Sequence, residues 1–446
     1  MKKVISVFLM ASLLVPLTLF AGGANEVKST ASEKPVLVIW DQFFPESQDK
    51  LMNSFIEEFE SSHNVDVQRT VYDTDSLRTT LRTSLTTESG PDIFYFDAGP
   101  AYLGAFASAG MVKDLTKAYA DKGWNNRLAD WAVGRVTYES KKYGVPHEIE
   151  YTCVYLNKTI LEKLGMANIL VKAEGFNDVY TLKTFEDYEN LLAASKKAGY
   201  MPIALGNRDP GRGGHVSSYL IALTAGRDKI DSIMFGDNSW EDPAVVASLE
   251  IFNDWNKKGY YIPSTNSVSY DEANALFFNG TCTTNPTGTW LIADILDQAP
   301  NSGDYVICMI PSVDGNLPLA GGSGIGSAFA VSAKSKVQDL AVEFLDFITD
   351  KKNSEKWITQ GQVIPANTEI DTSGMDLPFM MKQAIEGAAL NHCYNLDVVM
   401  PSSFNDAWLS GLSAMVNGDK TPQQVAADMQ KAWVSAKASG DYWKAK

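Results

Sequence analysis

Cysteine and histidine are scarce in this chain: four of each in 446 residues. Cys153, Cys282, Cys308 and Cys393 are widely spaced and form no Cys-x-x-Cys pair, which argues against a zinc site. Cys153, Cys282 and Cys308 fall in strand-like runs and read best as small buried hydrophobes. An oxidising compartment would permit a disulfide, but spacing names no pair. His63, His147, His215 and His392 supply no HExxH motif, since His147-Glu148 runs into Ile-Glu-Tyr. A Gly-Lys-Ser/Thr phosphate loop is missing. Gly321-Gly322-Ser323-Gly324-Ile325 has isoleucine where a nucleophile elbow needs glycine. Gly324-Ile325-Gly326 fails at the third position of a dinucleotide fingerprint. No cofactor or metal is expected. Basic residues are outnumbered too, 38 against 54 acidic, for a net charge of −16. Setting aside Lys2 and Lys3 leaves 36 against 54, or −18. Such a surface disfavours nucleic acid and anionic membranes as partners, although a local arginine can still dominate a pocket.

After residue 24 no apolar run is long enough to span a bilayer. Before it, Lys2-Lys3, the apolar run Val4 to Phe20 and the small residues Ala21 to Ala24 have the build of a secretory signal peptide over residues 1–24. No cysteine precedes Cys153, so no lipid-carrying cysteine is expected at the cleavage region. Glu26 to Lys34 is polar, and residues 25–35 are expected to be a disordered N-terminus.

The body of the chain opens with alternating signals. Val36 to Trp40 reads as a strand, and Leu51, Phe55 and Phe59 share a helix face. Val65, Val67, Arg69 and Val71 alternate as a strand; Ser76 to Thr87 reads helical; Asp92 to Phe96 is a further strand. This β-α-β-α-β order implies an α/β fold with a parallel sheet flanked by helices. Ligands bind beyond the carboxyl ends of such strands. Those ends carry Trp40, Asp41 and Asp97, read either as ligand groups or as caps of the helices that follow. Further on, Thr184, Asp242-Pro243 and Thr421-Pro422-Gln423-Gln424 start helices. There is no internal repeat and no long linker, so lobes joined by crossing strands are expected.

The most informative run is Phe277 to Trp290, FFNGTCTTNPTGTW. Asn279-Gly280 turns the chain, a strand of small residues follows, and Gly288-Thr289 delivers an indole. A flat apolar face after such a turn suits a cleft mouth; the alternative is a core tryptophan. Several acids, among them Glu148, Glu150, Asp41, Asp97 and Asp209, are available for paired-carboxylate chemistry, so a secreted carbohydrate-active enzyme stays open on chemistry alone. They serve equally as acceptors for ligand hydroxyls.

Six segments in order carry a resemblance: Val38-Ile-Trp40; Gly90-Pro-Asp-Ile-Phe-Tyr-Phe-Asp97; Tyr143 to Glu148 running into Val154 to Lys158; Phe277 to Trp290; Gly321 to Ser335; and Ala341 to Ile348. Together they resemble the extracellular solute-binding proteins of bacterial ABC transporters, in the sugar-binding group that includes maltose-binding proteins. The resemblance implies a two-lobed periplasmic-binding-protein fold, with a ligand cleft between lobes joined by hinge crossings. It implies an N-terminal lobe of residues 36–147 plus 302–348 and a C-terminal lobe of 148–301 plus 349–446. It also implies a periplasmic monomer that captures a mono- or oligosaccharide and delivers it to ABC permease subunits. A polyamine, peptide or phosphodiester is the non-sugar alternative, with Arg208 or Arg212 needed for the last. A chemosensory role would use the same fold. The ligand positions it implies are Trp40, Asp41, Asp97, Glu150, Arg208, Asp209, Trp290, Gly322, Ser323 and Trp408. Asn285-Pro286 and Cys282 depart from the usual pattern before Trp290.

Overall fold

The computed structural model describes residues 34–440. The expected leader over 1–24, and residues 25–33 of the polar stretch, lie outside the described residues.

The alternating run Val36–Asp41 is strand β1, whose inward residues Leu37, Ile39 and Asp41 are buried. Helix α1, Glu46–His63, lays Leu51, Phe55 and Phe59 on the sheet and ends at left-handed Asn64. β2 (Asp66–Val71) and β3 (Ile93–Asp97) flank β1 in parallel, with helix α2 (Thr74–Ser84) between them in sequence. Two late or short strands complete this sheet. Ser327–Val331 runs antiparallel to β3, pairing Phe96 with Ala328, and Val145–Pro146 pairs at its outer edge.

A second, larger sheet is built on Glu150–Asn157. Cys282–Gly288 and Tyr305–Met309 lie antiparallel on either side of it, and Met201–Ile203 extends the sheet beyond the former. Gly322–Gly324 pairs with its beginning and with Cys393–Tyr394. Each sheet has its own core. Phe55, Phe344 and Trp357 pack on the smaller sheet; Tyr155, Trp240, Trp408 and Trp433 pack in the other. All four cysteines are free thiols and buried, and each lies in a strand of the larger sheet or beside it.

The chain passes between the sheets at three places. Residues 147–149 lead from the small sheet to the large one, and Ile325-Gly326 leads back. The third crossing follows Trp357, and it runs beside the first: Ile149 N–H donates to Ile364 O at 2.7 Å and Ala366 N–H to His147 O at 2.9 Å. Two lobe boundaries therefore differ from expectation. Tyr305–Met309, expected in the first lobe, is hydrogen-bonded inside the larger sheet, so the return comes after Gly324 and not at 302. The helix Lys351–Thr359, expected in the second lobe, buries Trp357 in the first lobe's core beside Phe43 and Phe55. In both cases hydrogen bonding and packing with distant strands decide membership, which local composition does not encode.

One carboxyl in the second lobe has a pH signature. Burial, reinforced by repulsion from Asp271 and Asp297, pushes Asp294 up from an ordinary 3.8 to about 7. The folded state therefore holds this proton more tightly than the unfolded chain does. The strain of ionising it is absent below about pH 4, grows with rising pH, and is complete above about pH 7. Asp294→Asn is expected to raise the melting temperature at pH 8 and to lose that advantage by pH 4. Melting curves at the two pH values check this; an equal shift at both would contradict it.

Candidate ligand-binding cleft

Between the sheets lies a cavity of about 450 Å³ whose walls come from both lobes. The first lobe contributes Arg78 and Tyr102. α2 starts where the Asp73 carboxylate accepts from Ser76 N–H at 2.8 Å, and one turn later it presents Arg78 toward the end of β3. There Asp97 grips the guanidinium in a fork, with Arg78 Nε and Nη2 each 2.9 Å from a carboxylate oxygen. The same guanidinium lies 5.0 Å from the Tyr102 ring centroid. A bidentate pair of this kind fixes the plane of the cation as well as its place.

The second lobe contributes the start of the helix Gly211–Met234. Its glycines are steric requirements. A Cβ on Gly213 would lie 2.6 Å from Asn207 Oδ1, and one on Gly214 the same distance from the Leu409 side chain. That close packing brings Arg212 and His215 to the cavity, with Asp209 accepting from Gly211 N–H at 3.1 Å. The Arg212 guanidinium stacks over Tyr270, 3.9 Å from its centroid. Asp397, in the turn Leu396–Val398, faces His215 with Oδ2 3.4 Å from Nε2. Burial pushes the Asp397 carboxyl up, but the hydrogen bond and charge of His215, with Arg78 and Arg212, outweigh it and hold it below the usual carboxylate range. It is thus ionised at neutral pH. Asp406, Leu409 and Ser410 of the helix Ser402–Asn417 close the wall.

Among the described residues, three buried atoms of these side chains have no hydrogen-bond partner, Arg212 Nε, His215 Nδ1 and Asp397 Oδ1, the first of them 3.9 Å from Asp209 Oδ2 as an ion pair. Buried polar groups are nearly always satisfied, because an unmade bond costs about 1–3 kcal/mol. The lining as a whole, with arginines, carboxylates and hydroxyls together, is a set of donors and acceptors suited to a ligand rich in both.

The expected ligand positions divide into several groups. Asp209 lines the cavity, and Asp97 stands directly behind Arg78. Trp290 is one layer back. Its ring meets His215 edge-on at 4.9 Å, and its Nε1 donates to Tyr270 Oη at 3.0 Å. The glycine before it is required there, since a Cβ on Gly288 would lie 1.9 Å from the indole. Asn285-Pro286, the departure noted before Trp290, sits within the strand Cys282–Gly288, and Asn285 Nδ2 donates to Asn274 Oδ1 at 2.9 Å. Glu150 sits at the first crossing. It shares a hydrogen bond with Glu148, which in turn accepts from Tyr95 Oη. Burial and the Glu148 charge push the Glu150 carboxyl well above the usual carboxylate range. Gly322 donates its N–H to Thr152 Oγ1 at 2.7 Å, and Ser323 Oγ bonds Cys393 O at 3.4 Å, so both are occupied within the sheet. Trp40 is half-buried against Tyr72, with ring centroids 5.0 Å apart.

Three expectations are corrected. Asp41 is fully buried and engaged by Arg69 at 2.6 and 3.0 Å and by Phe43 N–H at 3.1 Å, leaving it no access to the cleft. Arg208 points to solvent beside Glu272 at 3.6 Å. Trp408 is core: it is fully buried and donates to Ser217 Oγ at 3.2 Å, while its neighbours Leu409 and Ser410 face the cavity. Arg78, Tyr102, His215, Asp397, Asp406, Leu409 and Ser410 were missed. The glycine run around Arg212 was the one signal that could have pointed to Arg212 and His215, because glycines at a helix start mark a close approach.

Known proteins bear on this arrangement. The family described as bacterial extracellular solute-binding protein matches residues 54–386. The galactooligosaccharide-binding protein of Bacillus subtilis (strain 168) is 22% identical over 455 residues, covering 99% of each chain. The diacetylchitobiose-binding protein DasA of Streptomyces coelicolor (strain ATCC BAA-471 / A3(2) / M145) is 24% identical over 376 residues and 82% of each chain. Among solved structures, a chitin oligosaccharide binding protein superposes with a TM-score of 0.78 at 20% identity, over 91% of this chain and 100% of that one. A solute-binding protein in complex with raffinose does so at 0.69 and 18%, over 89% and 99%. With a two-lobed α/β fold and a polar cavity between its lobes, the chain belongs to the bacterial extracellular solute-binding protein family.

Proposed function

We propose that this chain is an exported binding protein that captures a neutral carbohydrate in the interlobe cavity and hands it to an ABC permease, without chemical turnover. The observation that carries the reading is the mixed lining of one cavity, with Arg78 and Arg212 as donors, Asp209, Asp397 and Asp406 as acceptors, and Tyr102 and Ser410 as hydroxyls. Sugar hydroxyls donate and accept together, as that mixed set requires. A polyamine would face Arg78 and Arg212, and a phosphodiester would face Asp397 and Asp209, so neither suits the whole lining. The names of the relatives, several of them sugar-binding proteins, support the same class. Trp40, Glu150, Gly322 and Ser323 stand behind the cavity lining and in this reading support the sheets and the first crossing around it. Binding by closure of two hinged lobes follows from ligand groups on both walls. A periplasmic monomer that docks on permease subunits is part of the proposal.

Glu148 and Glu150, one candidate pair of acids, are not placed for glycoside hydrolysis. Glycoside hydrolysis separates its two carboxyl groups by about 5 Å or more so that the sugar or a water lies between them. Here the two are bonded to each other.

The test is a calorimetric panel of neutral mono- and oligosaccharides, with product analysis of any ligand that binds. Affinity near micromolar, about −8 kcal/mol, is expected for at least one. Failure of every sugar would overturn the carbohydrate reading, and conversion of a bound sugar would overturn the binding-only one. Within that panel Trp290→Ala is expected to weaken binding by about 1–3 kcal/mol, through loss of the ring that holds His215 and Tyr270. Unchanged affinity with a lowered melting temperature would make Trp290 a core residue only.

A further inference from the structure

Helix α1 begins without a cap of its own. Its N-cap residue is Pro45, which makes no side-chain capping bond. The first N–H groups of a helix have no partner within it and must find one elsewhere. Here the partner comes from the other lobe. Ser47 donates both its backbone N–H and its hydroxyl to Asp297 Oδ2, at 3.0 and 2.9 Å. Asp297 lies on the helix Ile292–Gln298, whose Ile292 and Ile295 are part of the larger sheet's core, whereas α1 belongs to the smaller sheet's core. The carboxylate thus reaches between lobes to the end of an 18-residue helix where the backbone dipole is positive. Lys50, one turn along α1, adds a favourable charge toward Asp297. The lobes also meet on neutral ground, where Ser402 Oγ bonds Ala101 O at 3.4 Å and Gly99 packs on the Val398 backbone.

We propose that Asp297 and the first turn of α1 form an interlobe clasp that holds the lobes together before ligand arrives and slows ligand release afterwards. The proposal rests on the hinged-capture reading of the cavity. Its physical content is simple. When the lobes part, Ser47 and Asp297 return to water and α1 loses the side-chain cap that Asp297 supplies. The clasp therefore stabilises the closed arrangement whether or not a ligand is present, and differential stabilisation of one state is what shifts a population. A helix cap is commonly worth about a fivefold change in an equilibrium.

The test is small-angle scattering on ligand-free protein, comparing wild type with Asp297→Ala, Asp297→Asn and Ser47→Ala. Asp297→Ala is expected to shift the closed-to-open ratio about fivefold toward open, visible as a larger radius of gyration. Asp297→Asn keeps an acceptor oxygen and should fall between, and Ser47→Ala keeps the N–H donor and should do likewise. A sugar that binds wild type should leave Asp297→Ala faster by about the same factor. A scattering curve for Asp297→Ala that matches wild type overturns the clasp, and so does a lowered melting temperature with unchanged scattering, which would make the contact a fold stabiliser only. Because scattering is read without ligand, failure of every sugar in the binding panel would sink the carbohydrate reading and leave this result standing.

Discussion

Replacing Asp397 with alanine is expected to cost about 2–5 kcal/mol of ligand affinity, roughly thirtyfold to several thousandfold, with the fold intact. Asp397 lines the cavity, is 6% exposed, is held ionised by His215, Arg78 and Arg212, and has no hydrogen-bond partner for Oδ1 among the described residues. A ligand hydroxyl that donates to it gains a charge-assisted bond in a site shielded from water. Removing the carboxylate loses that bond and also releases His215 and Arg212 from the charge that orients them. Asp397→Asn keeps the shape and one acceptor but not the charge, so its loss should be smaller. Calorimetry with a sugar that binds wild type reads both; equal affinities for wild type and Asp397→Ala would remove Asp397 from the site.

The second large effect concerns stability. Arg69→Ala should destabilise the protein by about 3–5 kcal/mol, because it leaves Asp41 buried and unpaired. Asp41 has no exposed surface, and Arg69 binds it through Nε and Nη2 while reaching Asp49 and Asn53 with Nη1. Burial already pushes the Asp41 carboxyl up against the opposing pull of Arg69, so loss of the guanidinium removes its main counterweight. Replacing both residues by leucine should restore much of the loss, as a buried ion pair exchanged for apolar packing often does. Denaturant titration measures each variant. Ligand affinity of Arg69→Ala, read where it is folded, should match wild type; a fall comparable to that of Asp397→Ala would return Asp41 to the ligand site.

Asp41 also illustrates what the sequence discloses and what it withholds. β1, β2 and β3 were placed almost to the residue, β2 by its alternation of apolar and polar residues and β1 and β3 as short apolar runs. Capping chemistry placed the helices after Thr184, Asp242 and Thr421. The position of Asp41 at a strand end was legible, and Arg69 stood in the inward phase of β2 with Val67 and Val71, but nothing local paired the two across neighbouring strands. The cavity suffers most from this. Its groups come from α2, the start of the helix Gly211–Met234, the turn Leu396–Val398 and the helix Ser402–Asn417, and no local period links them. Trp408 shows the limit at single-residue scale. The resemblance brought Trp408 itself to the cleft, yet one step of 100° along its helix separates this core indole from Leu409 on the cavity wall.

The three crossings have a consequence for how the chain is made. β3 in the first lobe waits for Ser327–Val331 to close its open edge, and the core beneath β1 waits for Trp357. Neither lobe can therefore finish folding from its own early sequence, and pairings between such distant segments form slowly. The edge of β3 lacks its partner until residues 327–331 have been synthesised, and a lobe that completes late suits a polypeptide that must be threaded across a membrane before it folds.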